Sequence, residues 1–282
     1  MKLPKFNNKS EKWAFLKKNK DLIIAEKKAA TKYADCIAYS MPTEYKKDGV
    51  TKAMIDDIDM PDEVEVITAK VVINTTNIVD SHDDCHIQGI WKKSLNETKS
   101  FYLLQEHRMA FDKVISDTII ASTKKMTWDK LGFPNLQGDT EALIFEAEIS
   151  KDRNEFMFNQ YINGWVKEHS VGMRYINLYL CINSTSKQFA EEKANWDKYY
   201  PMVANKDYLK EDEYFWAVTE AKIIEGSAVL KGSNYATPTM SVTIPKENIE
   251  PLNDTQQSVA EQSLQKQKQK QKQFFINLTK NI

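Results

Sequence analysis

Several things are scarce in this sequence, and each scarcity excludes a class of protein. Cysteine occurs only at positions 36, 85 and 181 of 282, an odd number at wide spacing. That pattern argues against a disulfide framework and for a reducing compartment. Long apolar runs are missing too. None approaches the roughly 18 residues that a membrane-spanning helix needs, and the basic start MKLPKFNNKS has no apolar block behind it. The expectation is a soluble, unexported protein with no membrane partner. Charge of one sign is also lacking: 39 Lys and Arg stand against 40 Asp and Glu, a formal net charge of -1. No global field therefore points to nucleic acid as a specific partner.

The charge that is present is unevenly placed. Residues 1–30 carry nine lysines against three acids, interleaved with Trp13, Phe15, Leu16, Leu22, Ile23 and Ile24. With Ser10 as N-cap and breakers at 19–21, the pattern predicts one or two amphipathic helices between Glu11 and about Tyr39. Their basic side is either a solvated face or a docking arm for an acidic partner. Pro42 and the Asp48-Gly49 pair mark a linker, so residues 1–60 form a basic helical extension.

Residues 61–244 read as the main domain, with strands expected at Glu63–Ile73, Phe101–Gln105, Val114–Ser122, Ala142–Ile149, Ser170–Cys181 and Phe215–Val229. In the fourth, Leu143, Phe145, Ala147 and Ile149 alternate with Ile144, Glu146 and Glu148, which suits antiparallel structure with one buried face. Short helices are expected at Asp152–Asn163, stopped by Gly164, and at Ile90–Leu95. Polar, aromatic residues 184–214 lack strand alternation and read as a surface insertion. Residues 245–282, with QKQKQKQKQ from Gln265 to Gln273, read as a solvated Gln/Lys-rich tail or a tether.

Four histidines occur, at 82, 86, 107 and 169. His107 follows the apolar run FYLL in LLQEHR, where an imidazole emerges beside the core as a general base must. Ser170, in GWVKEHSVGMRY, shares one strand face with Gly172, Arg174 and Ile176, while Val171, Met173 and Tyr175 share the other. A glycine beside the hydroxyl leaves room for a substrate backbone, or it marks a bulge next to an ordinary strand serine. His169 points away from Ser170 by the same alternation. His82, Cys85 and His86, in SHDDCH, are residue types that suit zinc. Three ligands within five residues, without a second pair downstream, read instead as a polar loop, and no metal or cofactor is expected.

Taken together, NIVDSHDDCHIQGIWKKSL, LLQEHR, HSVGMRY and AVTEAKIIEGSAVLKGSNYATP resemble, in order and spacing, the prohead serine proteases of tailed phages. The resemblance covers about residues 63–240. Met173 departs from it by replacing the usual aromatic, and Lys231-Gly232-Ser233 replaces a Pro-Ala approach to Asn234. That family is similar in fold to the herpesvirus maturation proteases. The resemblance implies an α+β fold with a mainly antiparallel β-barrel core and peripheral helices. It also implies Ser170 as nucleophile, His107 as base and Glu225 as the third, orienting member, with Asp80 and Asp84 bracing the barrel. The implied partners are the major capsid protein with its scaffold portion, other prohead core proteins and the chain itself, inside the immature capsid in the host cytoplasm. Two other readings are a non-catalytic internal scaffold with the same barrel and a zinc hydrolase centred on His82, Cys85 and His86.

Overall fold

Alternation of apolar residues with a period of two produces two sheets in the computed structural model, which describes residues 4–31 and 64–244. The fold is α+β and mostly antiparallel, with five α-helices among the described residues. The first sheet has the order β5-β6-β1-β9, formed by β1 (Val66–Thr75), β5 (Thr118–Thr127), β6 (Asp139–Ser150) and β9 (Thr239–Thr243). Ile67, Ala69, Val71 and Ile73 of β1 and Leu143, Phe145, Ala147 and Ile149 of β6 all face the main core. The opposite face is not fully wet. Val72 and Ile144 pack under Trp128, Leu131 and Phe133 in a second cluster.

The second sheet is built on one long strand, β8 (Tyr214–Val229). One edge of β8 is paired antiparallel along its length with β7 (Glu168–Ile182). The other edge is shared by two short parallel partners, β2 (Asp84–His86) against Trp216–Val218 and β3 (Leu103–Gln105) against Gly226–Ala228. Between them the turn before α3 (Lys92–Glu97), and α3 itself, supply the missing acceptors: Ala221 N–H bonds to Ile90 O at 3.3 Å and Ile223 N–H to Ser94 Oγ at 2.9 Å. β4 (Val114–Ser116) pairs with β3. The sheets meet at both sides, because Glu168 of β7 bridges to Pro238, one residue before β9, and β4 runs into β5 across Asp117.

Four local expectations need correction. Val114–Ser122 is two strands rather than one, since Ser116 Oγ bonds the Thr118 backbone and turns the chain at Asp117. The polar loop at SHDDCH ends in β2, whose three residues are buried. Inside the surface insertion lies α5 (Ala190–Tyr199), which buries Glu192, Trp196 and Tyr199 at helical spacing. β9 falls where no strand was expected. The small helix of residues 152–163 forms as α4 (Glu155–Ile162), capped by Asn154.

The N-terminal region differs most in placement. Its helices, α1 (Lys9–Lys18) and α2 (Lys20–Ala29), are capped and broken at Asn8 and Asn19 rather than Ser10. They are not a separate arm. Trp13, Leu16 and Ile23 enter the main core, and the described residues 4–31 and 64–244 belong to one compact unit. The acidic partner of their lysines is the chain itself: Lys9 pairs with Glu213, Lys12 with Asp212, Lys17 with Glu192 and Lys27 with Asp84. The expected linker at 42–49 and the tail after 245 lie outside the described residues. Among the described residues no helix is long and apolar enough to cross a membrane.

Candidate functional site

Three adjacent strands, β3, β8 and β7, bring the three expected residues to one end of the second sheet. Glu225 and Ser227 alternate with Gly226 on β8, so both project from one face, while a Cβ on Gly226 would run into Phe145 and Ile73 of the core. Across the ladder, Ser170 stands opposite Ser227 and Gly172 opposite Glu225. An extra residue on β8, Ile224, then bulges the ladder before Ile223 meets Met173.

His107 arrives from the other side. The chain leaves β3 at Gln105 and reverses through Glu106 and His107, both with positive φ (54° and 56°), closing a turn by Arg108 N–H to Gln105 O at 3.1 Å. Two left-handed non-glycine residues in succession cost about 1–3 kcal/mol each, and such strain persists only where surroundings hold it. Here the surroundings are specific. The His107 N–H donates to Ser227 Oγ (3.0 Å), Ser227 donates to Glu225 Oε2 (2.6 Å), and His107 Nδ1 lies 2.6 Å from Glu225 Oε1. Glu225 is fully buried, so its carboxylate needs these partners.

Gly172 has a different role from the one its sequence context suggests. A Cβ there would sit 1.9 Å from Glu225 Oε1 and 2.8 Å from its Cδ. The space belongs to the Glu225 carboxylate rather than to a substrate backbone. It is neither an ordinary strand glycine nor a convenience, because the His107–Glu225 contact exists only without that Cβ.

Ser170 is 8% exposed. Its Oγ makes no hydrogen bond among the described residues, so the contact with His107 that proton transfer needs is not formed in this structure. Beside it, His169 points the opposite way, between Tyr161 Oη (3.0 Å) and Thr237 O (3.2 Å). Burial lowers its pKa to about 4, which keeps it neutral and out of the site.

SHDDCH takes its three candidate ligands in different directions. Cys85 packs with Val79, Cys181 and Phe215, and burial raises its thiol well above the usual range. His86 instead lies between Asn74 Oδ1 and Tyr175 Oη, each at 3.1 Å, and His82 is partly exposed beside Asp80. Among the described residues no group of three or more His, Cys, Asp or Glu is arranged to hold a metal ion. Asp80 Oδ1 accepts from the His82 and Asp84 amides at 2.8 and 3.0 Å, pinning the turn. Burial alone would raise this carboxyl, but those bonds and the nearby imidazoles hold it below the ordinary range. Asp84 accepts from Tyr175 (3.0 Å) and pairs with Lys27. A pocket with room for about one water lies between this network and Ser170, lined by Asn74, Asp80, His86, Tyr175 and Asn234.

Sequence reasoning missed Ser227 as a functional residue, although its spacing from Glu225 placed it on the same face. Comparison with family models, curated proteins and solved structures finds no match for this chain.

Proposed function

We propose that the chain is a serine endopeptidase that cleaves scaffold and capsid proteins, and itself, during phage prohead maturation. The observation that carries this reading is the buried contact of 2.6 Å between His107 Nδ1 and Glu225 Oε1, with Ser170 on the same sheet face. A carboxylate at Nδ1 keeps the proton on that nitrogen and stabilises the imidazolium as it forms. Nε2 is then the nitrogen that takes the Ser170 proton while Oγ attacks the scissile carbonyl, and that later protonates the leaving amine. On this reading Ser170 Oγ and His107 Nε2 come within hydrogen-bond reach in the substrate complex, where catalytic hydrogen bonds tighten. The two sheets, joined through Glu168–Pro238 at one side and Asp117 at the other, are read as one barrel of the kind the herpesvirus maturation proteases share. Its partners on this reading are the capsid and core proteins of the immature capsid, where it acts.

That Ser170 Oγ makes no hydrogen bond among the described residues favours a second reading, a scaffold protein that keeps the barrel without catalysis. A fluorophosphonate probe separates the two. The endopeptidase should be labelled at Ser170, and labelling should vanish in Ser170→Ala. Terminal sequencing after co-expression with the capsid protein should then find cleavage products that the variant does not make. No labelling at Ser170 together with an intact capsid protein would refute the endopeptidase reading.

A further inference from the structure

Two hydrogen-bond donors meet at the edge of β7 that does not pair with β8, and no described residue accepts from either. The phase of the β7–β8 ladder identifies the first. His169 N–H bonds to Thr237 O (3.1 Å) and Gly226 N–H to Tyr102 O (2.9 Å), both away from the seam between the strands. His169–Ala228 and Val171–Gly226 are therefore the pairs whose backbone groups point outward, alternating with Ser170–Ser227. The N–H of Val171, the residue after Ser170, is thus aimed off the open edge, where it has no acceptor among the described residues. The second donor is Asn74 Nδ2. Asn74 is 2% exposed, and its Oδ1 is turned to His86 Nδ1 (3.1 Å), while Tyr175 Oη holds the other nitrogen of that ring. Nδ2 is left without a partner among the described residues. Buried donors without acceptors are rare and call for an explanation. Val171, Asn74 and Ser170 line the same small pocket, about 10 Å³, which admits a single oxygen-sized group.

We propose that the Val171 N–H and the Asn74 side-chain amide form the oxyanion hole of the endopeptidase. The inference rests on that reading and deepens it by naming the groups that meet the charge of the tetrahedral intermediate. His107 and Glu225 stand on the β8 side of Ser170, and the pocket lies on its other side. As Ser170 Oγ bonds to the scissile carbonyl carbon, its proton goes to His107 Nε2 and the carbonyl π pair moves onto oxygen. That oxygen enters the pocket and accepts from both donors. When the double bond re-forms, the C–N bond breaks and His107 returns the proton to the leaving amine. Donors fixed in advance stabilise such a charge without having to reorganise. His86 and Tyr175 supply that fixing for Asn74, which gives the buried network beside Ser170 a positioning role.

The test uses the full chain and a quenched peptide spanning a cleavage site mapped by terminal sequencing. Asn74→Ala removes the donor. Asn74→Asp is the sharper probe, because it keeps the shape and the acceptor that holds His86 but replaces the donor with an oxygen. Both should lower kcat by about 100-fold or more while KM stays within about twofold, since the hole is filled only in the transition state. An Asn74 that merely braced His86 would tolerate Asp. Turnover by Asn74→Asp within about threefold of wild type, or a loss carried by KM, would overturn the assignment. If neither variant folds by circular dichroism, the wild type decides. In a crystal structure of its fluorophosphonate adduct at Ser170, the phosphonyl oxygen should lie within hydrogen-bond reach of Val171 N and Asn74 Nδ2, and an oxygen turned elsewhere would overturn the hole. A wild type that neither takes the label nor cleaves would refute the endopeptidase and the hole with it, whereas cleavage that is insensitive to Asn74→Asp would refute the hole alone.

Discussion

Adding one methyl group at Gly172 should dismantle the candidate site. In Gly172→Ala the new Cβ would lie 1.9 Å from Glu225 Oε1, roughly 1.5 Å inside an ordinary van der Waals contact. The nearest Glu225 atoms belong to its side chain, so the carboxylate can yield, but it is wholly buried and has no wet direction to move toward. Yielding would break the 2.6 Å contacts with both His107 and Ser227. Losing the partners of a buried charge costs about 3–5 kcal/mol. For a folded unit of this size, that lowers Tm by about 10 °C, at roughly 2–4 °C per kcal/mol. Fluorophosphonate labelling of Ser170 should fall by at least about 100-fold, because the imidazole loses the group that fixes its tautomer. Calorimetry and labelling kinetics measure both effects. The decisive comparison is in a Glu225→Ala background, where the clashing atoms are gone and Gly172→Ala should cost little more. A Tm within about 2 °C of wild type, or an equal cost in both backgrounds, would refute the steric argument.

Ser227→Ala removes a hydroxyl that joins His107 N to Glu225, and should slow Ser170 labelling by about tenfold; unchanged labelling kinetics would mean that Ser227 only packs. His169 has a folded-state pKa of about 4, below the 6.5 of the free side chain. Its contribution to stability is therefore complete above about pH 6.5 and lost as pH falls toward 4, roughly 3 kcal/mol in all. Urea unfolding of His169→Gln should show a shallower decline over that window than wild type, and parallel declines would refute this. Lys27→Met should destabilise the fold by roughly 3 kcal/mol by removing the ammonium paired with buried Asp84, and Asp84→Asn should recover most of that loss, as chemical denaturation would show.

The elements with strong alternation are legible in the sequence itself. Ile67 to Ile73 and Leu143 to Ile149 carry a period of two that only a half-buried strand explains, and both lie in the core. His107, Ser170 and Glu225 were singled out from motif order, and the structure does bring them to adjacent strands. What could not be read is what depends on long-range partners. Three-residue β2 is too short to show a period, and its Asp84 and His86 look solvated until Tyr175, Asn74 and Lys27 arrive from elsewhere. In α5, Trp196 and Tyr199 sit among charges in the sequence, and their burial becomes intelligible only when Val79, Cys181 and Phe215 pack against them from distant segments. The role of Gly172 was misread because a missing side chain does not say which neighbour fills the space.

β8 is a late piece of the chain on which everything else waits. Leu103–Gln105, Asp84–His86 and all of β7 find their hydrogen-bonding partners on this one strand, which begins at residue 214. Pairings this distant in sequence form slowly, because the intervening loops must close before any contact rewards them. A nascent chain shorter than 225 residues thus lacks Glu225 and Ser227, and with them the bonds that hold the His107 turn in its left-handed form. The His107–Glu225–Ser227 arrangement appears only when synthesis of the folded unit is nearly finished, so the order of the chain itself delays that arrangement until the rest of the unit is there to hold it.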